Sequence, residues 1–174
     1  MGIKYLGYPI NTQDPDALNA VKDLLIAQKE SGVVAGYLVD ETKDKMIAGE
    51  AAMAVMWSGD ALYAMAGNEN LRYVVPKEGS NVWIDGLCIP KASKNKEAAQ
   101  KFIDFMCRPD IAEMNQDCIY YSSPIKQVVE GYSDEEKANT ALNPTDEILE
   151  RCEFFNDISG NMDLYDKIWM EVRA

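Results

Sequence analysis

The sequence contains no histidine. That single absence removes Ser-His and Cys-His nucleophile pairs, the commonest general base and most zinc sites. None of the four cysteines, Cys88, Cys107, Cys118 and Cys152, sits in a C-x-x-C pair, which excludes a zinc knuckle and a thioredoxin-like dithiol. No run of 18 apolar residues occurs, so nothing is long enough to span a bilayer as a helix. The start shows no secretory leader. Positive charge is scarce: 17 Lys and Arg stand against 29 Asp and Glu, a net charge of −12. Nucleic acid binding needs a basic footprint, and none is present. The same field draws cations in, besides keeping the chain soluble.

What remains is an ordinary globular composition, 47% hydrophobic over 174 residues. That length suits one domain or two small lobes. The cysteines lie among apolar residues and read as small buried thiols, with two disulfides as the alternative in an exported protein. The opening "MGIKYLGYPINTQD" reads as the middle of a domain with a start methionine placed in front, so a fragment is expected.

Residues 11–32 read as a helix. Asp14 or Thr12 caps it, Pro15 suits its first turn, Gly32 ends it, and Leu18, Val21, Leu24 and Leu25 form its stripe. "GVVAGYLVD" follows as a short strand. "ETKDKMIAGE" reads as a polar helix with Met46 and Ile47 inward. Residues 51–57 read as a buried strand with Trp57 at its carboxyl end, where open α/β sheets bind ligands. Ser58 and Gly59 then turn, and Asp60 opens a helix. Residues 71–90 give two strands around a Pro-Lys-Glu-Gly-Ser turn. A strong helix follows, capped by Ser93 or Asn95, with Ala98, Ala99, Phe102, Ile103 and Met106 as its buried side. Pro109 restarts the pattern as a second helix. The tail is a series of short helices and one last helix from about residue 161. Strands alternating with helices give an α/β class.

The stretch "GSNVWIDGLCIP" places Asp85 two residues after Trp83. On an extended strand both point to one side, so a ring and a carboxylate would share a face. That is either a cleft wall for a cation or a strand end that carries an acid.

Together with "KMIAGEAAMAVMWSGDA" and the tail "CEFFNDISGNMDLYDKIW", the segment "YVVPKEGSNVWIDGLCIPKASKNKEAAQKFIDFMCRPDIA" resembles the carboxyl-terminal half of the spermidine/putrescine-binding proteins of bacterial ABC importers. The resemblance implies a type II periplasmic-binding-protein fold, in which two α/β lobes flank a cleft and close on ligand. It implies that residues 1–83 form the body of the second lobe, that 84–125 return to the first lobe, and that 126–174 pack back on the second. It implies Trp57 and Trp83 as walls for the methylene chain and Asp85 as partner of an ammonium group, with Asp60 and Asp157 as lesser contributors. Phe155 stands where family members often carry a glutamine, which alters one polar contact. An acidic pair that the family places ahead of the "LGY" segment has no counterpart here. The resemblance also implies a polyamine ligand, putrescine or spermidine, a membrane permease as partner, an extracytoplasmic location, and no metal or cofactor.

Two other classes stand beside this reading. An enzyme would rest on Asp60, Asp85 and Asp157, without a histidine, a phosphate loop or a metal cluster to work with. A self-associating fragment would pair its open strand edges in a homodimer. Within the binding class, the Ser-Gly turn of "WSGDA" offers backbone N–H groups to an anion, although Asp60 opposes that charge.

Overall fold

The helix expected over residues 11–32 forms as follows. Asp14 adopts an extended backbone and its carboxylate accepts the Asp16 N–H (3.0 Å), Pro15 occupies the first turn, and the chain leaves through Gly32 at φ +76°. A computed structural model describes all 174 residues. In it α1 spans Gly2–Tyr5 and α2 spans Pro15–Glu30. The stripe of α2 buries Ala17, Leu18 and Val21 against α1 and the last helix, Met162–Arg173. Each large side chain so buried contributes about 1.5–3 kcal/mol. Val172 is wholly buried there. Lys29 Nζ donates to the carbonyls of Val172 (3.3 Å) and Arg173 (3.1 Å), satisfying acceptors that a helix end leaves open. Lys22 pairs with Glu171 at 3.0 Å, and Tyr37 meets Trp169 edge-on, centroids 5.2 Å apart.

The same body contains the only sheet. β1, Asn81–Val82, pairs in parallel with β2, Glu153–Phe154, in the register Asn81↔Glu153 and Val82↔Phe154. The strands expected over 32–40 and 51–57 do not form, and only two residues of the two strands expected in 71–90 do. A strand requires a ladder partner for its backbone groups. These segments have the strand pattern without the neighbour, and Val33, Val39, Met53, Val55 and Val74 stand exposed. The tail instead supplies β2, which its sequence pattern does not announce.

Residues 1–41, 75–83 and 146–174 form one compact unit, and residues 42–74 and 84–145 form a second. This division runs differently from the three-part lobe assignment, since 42–74 groups with 84–145. The second unit holds α3 (Glu41–Ile47, from residue 42 on), α4 (Ser58–Gly67), α5 (Lys96–Met106), α6 (Pro109–Ile119), α7 (Lys126–Glu130) and α8 (Asp134–Ala138). Its core is Leu62, Ala112, Val128, Tyr132 and Leu142. At its centre the Gln116 side-chain oxygen accepts the Ser123 N–H (3.1 Å) and the Tyr132 hydroxyl. Tyr120, at φ 62°, ends α6 in the left-handed conformation. The first unit also holds the short helix α9, Asp146–Glu150, and its last helix, Met162–Arg173, is α10.

Two expectations fail on burial. The face of α5 read as its buried side contributes no buried residue, and Phe102 is 56% exposed. Helix α5 has α6 as its one substantial helical neighbour, so the apolar stripe is only partly covered. Cys88, Cys107 and Cys118 are exposed, Cys152 is half-buried, and all four are free. They are neither core thiols nor disulfides.

Gly79 is the glycine that the sheet requires. It sits at φ +87°, donates its N–H to Pro76 (2.9 Å), and a Cβ there would overlap the Arg151 carbonyl. Gly79→Ala is therefore expected to destabilise the chain by about 2 kcal/mol or more, the left-handed penalty of about 1–2 kcal/mol plus the lost approach of the strands. Urea unfolding of the two proteins checks this.

Candidate ligand-binding site

In the second unit the site is built on the start of α4. The Trp57 carbonyl accepts the Ala61 N–H (2.9 Å) and so begins the helix, while the Trp57 ring remains 45% exposed. Gly59 is buried because the Tyr121 ring lies on its backbone, so closely that any Cβ would overlap the ring. Tyr121 reaches this place because Tyr120 turns the chain sharply at the end of α6. Burial pushes the Tyr121 phenol above its ordinary range, and the charges of Asp60 and then Asp85 push it further. The structure therefore brings Asp60 and Asp85 into one electrostatic neighbourhood around Tyr121. Asp60 is also paired with Lys43 at 3.6 Å, and Lys43 lies 5.8 Å from the Tyr63 ring centre. Part of the Asp60 charge is thus already answered.

Tyr121 is the site residue that sequence reasoning missed. Its signal was the aromatic pair of "YYSSP" just after a helix, a spacing that reads equally well as core. The close approach to Gly59 is long-range in sequence and leaves no local trace.

Trp83, Phe155 and Asp157 belong to the first unit. Trp83 follows β1 and Phe155 follows β2, each the first residue past the carboxyl end of its strand. Both rings are accessible, Phe155 at 60% and Trp83 at 36%. Asn11 braces the backbone around Phe155. Its Nδ2 donates to the Phe154 carbonyl (2.8 Å) and its Oδ1 accepts the Asn156 N–H (2.7 Å), which does for β2 what a neighbouring strand would do. Asp157 has a structural task, since its carboxylate accepts the Ser159 N–H (2.9 Å), which holds the carboxyl below the usual range. Trp83 and Asp85 lie outside the two-residue ladder and in different units. The shared face inferred from their spacing is therefore not a strand face. No three carboxylates or thiols converge to hold a metal ion.

Residues 2–145 match the model of the bacterial extracellular solute-binding proteins. The chain belongs to that family. It is 32% identical over 174 residues to the spermidine/putrescine-binding periplasmic protein of Escherichia coli K12, covering 100% of this chain and 49% of that one. The Haemophilus influenzae spermidine/putrescine-binding periplasmic protein 1 is 27% identical over 169 residues, or 97% and 46% of the two chains. Among solved structures, the spermidine/putrescine ABC transporter substrate-binding protein PotD of Streptococcus pneumoniae, in complex with calcium and HEPES, superposes with a TM-score of 0.81 at 34% identity. That match covers 98% of this chain and 54% of that one. A Listeria monocytogenes structure gives 0.87 at 32% identity, with 98% and 52% covered. The fold is thus that of the type II periplasmic binding proteins, as the resemblance implied, and the chain spans about half the length of the curated relatives it matches.

The Tyr121 neighbourhood has a measurable consequence. Its folded pKa is raised above the ordinary value of about 10, so the neutral phenol contributes stability below that pH, and the contribution is lost as pH rises through the folded value. In a 13C NMR titration of the Tyr121 ring, Asp60→Asn and Asp85→Asn are each expected to lower the midpoint, leaving the part due to burial. Midpoints unmoved by both substitutions would show that the carboxylates do not act on the ring.

Proposed function

We propose that this chain supplies part of the polyamine site of an ABC importer's extracytoplasmic substrate-binding component, with putrescine or spermidine as ligand. The observation that carries the reading is the pair of carboxylates, Asp60 and Asp85, whose charges both reach the half-buried Tyr121 packed on Gly59 after the Trp57 segment. The names of the spermidine/putrescine relatives at 32% identity support it. A polyamine is an apolar rod studded with ammonium groups. It needs flat aromatic faces for its methylenes and carboxylates at the spacing of its amines. A ring face near an ammonium contributes about 0.5–2 kcal/mol, and a carboxylate adds a charge-assisted hydrogen bond.

In this reading Trp57 and Tyr121 are walls and Asp85 is the principal ammonium anchor. Asp60 adds to the negative potential, its charge shared with Lys43. Within the first unit, taken by itself, Trp83 and Phe155 are accessible aromatics for a methylene chain, and Phe155 in place of an amide makes that surface purely apolar. Asp157 lends charge only, because Ser159 already occupies it. The partners are the ligand and a membrane permease, and the reading includes no reaction chemistry.

The competing anion reading rests on the N-terminus of α4, whose N–H groups are a general attraction for negative charge. Asp60 in that first turn and Asp85 nearby oppose it.

Calorimetric titration of the chain with putrescine, spermidine, phosphate and citrate tests the choice. Saturable heat with the amines alone is expected, and heat with the acids alone overturns the reading. For these 174 residues the amine affinity is expected to be weaker than micromolar. In the second unit, two or more ammonium groups meet only Asp85 and a Lys43-paired Asp60. In the full-length protein, Asp85→Asn is expected to weaken diamine binding by about 1.5–3 kcal/mol, the range for a hydrogen bond to a charged group. Unchanged affinity would make Asp85 a structural residue.

A further inference from the structure

A separate concavity of about 430 Å³ opens in the second unit between α4, α6 and the segment from α8 to Leu142. Leu62 and Leu142, both buried core residues, face into it, and Tyr120 forms a wall. Two acids line it, Asp117 and Glu136. So does Gln116, which is only 5% exposed.

Gln116 gives the concavity its chemistry. Its Oε1 is fixed by two donors, the Ser123 N–H (3.1 Å) and the Tyr132 hydroxyl. The amide cannot be reversed without setting an NH2 against the Ser123 N–H. The Nε2 donor is therefore held at the opposite end, on a side chain that lines the hollow, and it makes no hydrogen bond within the protein. Nε2 is reached by solvent through the hollow, so a ligand oxygen placed there gives it a partner that the fold does not. Glu136 uses Oε2 to accept the Ser133 N–H (2.8 Å) and hydroxyl (2.7 Å), which leaves Oε1 open. Those Ser133 hydrogen bonds hold its carboxyl below the usual range, so it stays ionised. Asp117 has no partner in the protein.

We propose that this concavity is a second ligand site, for a small alkylammonium that also carries a hydroxyl or carbonyl oxygen, an amino alcohol being the simplest member. The ammonium pairs with Asp117 and Glu136, the short carbon chain covers Leu62 and Leu142, and the oxygen accepts from Gln116 Nε2. A fully protonated polyamine has no acceptor to offer Gln116, so this site selects a different chemistry from the Asp85 neighbourhood. Its occupancy does not depend on the polyamine reading.

The experiment is a 1H–15N NMR titration of the whole chain with 3-aminopropan-1-ol and, in parallel, propylamine, reading the Gln116 side-chain NH2 resonance. Saturable shifts with the amino alcohol are expected, with roughly fivefold weaker binding of propylamine, the equivalent of one net hydrogen bond. The double variant Asp117→Asn/Glu136→Gln should bind roughly fivefold or more weakly, since it removes two solvent-accessible charge contacts of modest strength each. A glutamine at position 136 still completes the helix cap, so its amide spectrum should otherwise stay native. Asp85→Asn should leave the titration unchanged. Equal binding of propylamine, full retention in the double variant, no saturable shift at Gln116, or sensitivity to Asp85→Asn would each overturn the proposal.

Discussion

The first unit depends on Glu153. Its backbone N–H reaches the Ser80 carbonyl (3.0 Å) and begins the ladder between β1 and β2. Its carboxylate pairs with Lys4 and accepts the Ile10 N–H (3.2 Å). One residue thus ties together the start of the chain, the strand before Trp83 and the tail. The Lys4 hydrogen bond holds the Glu153 carboxyl below its ordinary range, so the tie persists in mildly acidic solution and fails only as pH falls through the lowered value. A two-residue ladder is too short to stand alone. Asn11 and Glu153 extend it with side-chain hydrogen bonds, and Gly79 permits the close approach. Trp83 and Phe155 stand just past the ends of that ladder, with Asn11 bracing the backbone on either side of Phe155.

The second unit is organised around one amide instead of one ion pair. Gln116 joins α6 to the Ser123 turn and to Tyr132, and the left-handed Tyr120 between them throws Tyr121 onto Gly59. The position of Tyr121 against the start of α4 is therefore set by a buried polar network, not by apolar packing alone. Such networks specify geometry because each unpaired member is costly. The same residue leaves one donor over, which is why a polar core and a lined hollow occur at the same point.

The helices were legible in the sequence because their signals are local. Asp14 and Pro15 start α2, Pro109 starts α6, and of the expected stripe Leu18 and Val21 are buried while Leu24 and Leu25 are half-buried. The strands were not legible in the same sense. The continuous apolar runs of 33–39 and 51–57 report a preference for extended chain, but a strand also needs a partner, and a segment's own residues do not say whether one is there. Burial failed for the same reason on α5, whose amphipathic pattern is plain and whose cover is partial. Of the site, Trp57, Trp83 and Asp85 stood out as an aromatic and acidic pattern in a chain without histidine. Tyr121 and Asn11 did not, because each acts on a residue far away in sequence. Asp157 looked like a ligand carboxylate and is engaged by Ser159.

Which charge the α4 terminus favours can be decided from competing magnitudes. A helix N-terminus attracts an anion by typically 0.3–1 kcal/mol at an exposed site. Against this stand Asp60 in the first turn and Asp85, both close enough to act on Tyr121. Lys43 offsets one of them at 3.6 Å and is itself drawn toward the Tyr63 ring, so one carboxylate remains without a cation. The local balance is negative by about one charge before the −12 of the whole chain is considered. An incoming anion would have to overcome both carboxylates with a fraction of a charge from the helix. In the proposed reading a cation gains from the uncompensated carboxylate, and the exposed ring of Trp57 at the start of α4 offers an attraction that a phosphate or carboxylate cannot use. The absence of histidine sharpens the point. The side chain whose ordinary pKa lies between about pH 5 and 8 is missing, so no imidazole gates the proposed site, and the Met1 amino group, which burial lowers from 8.0, lies in the other unit.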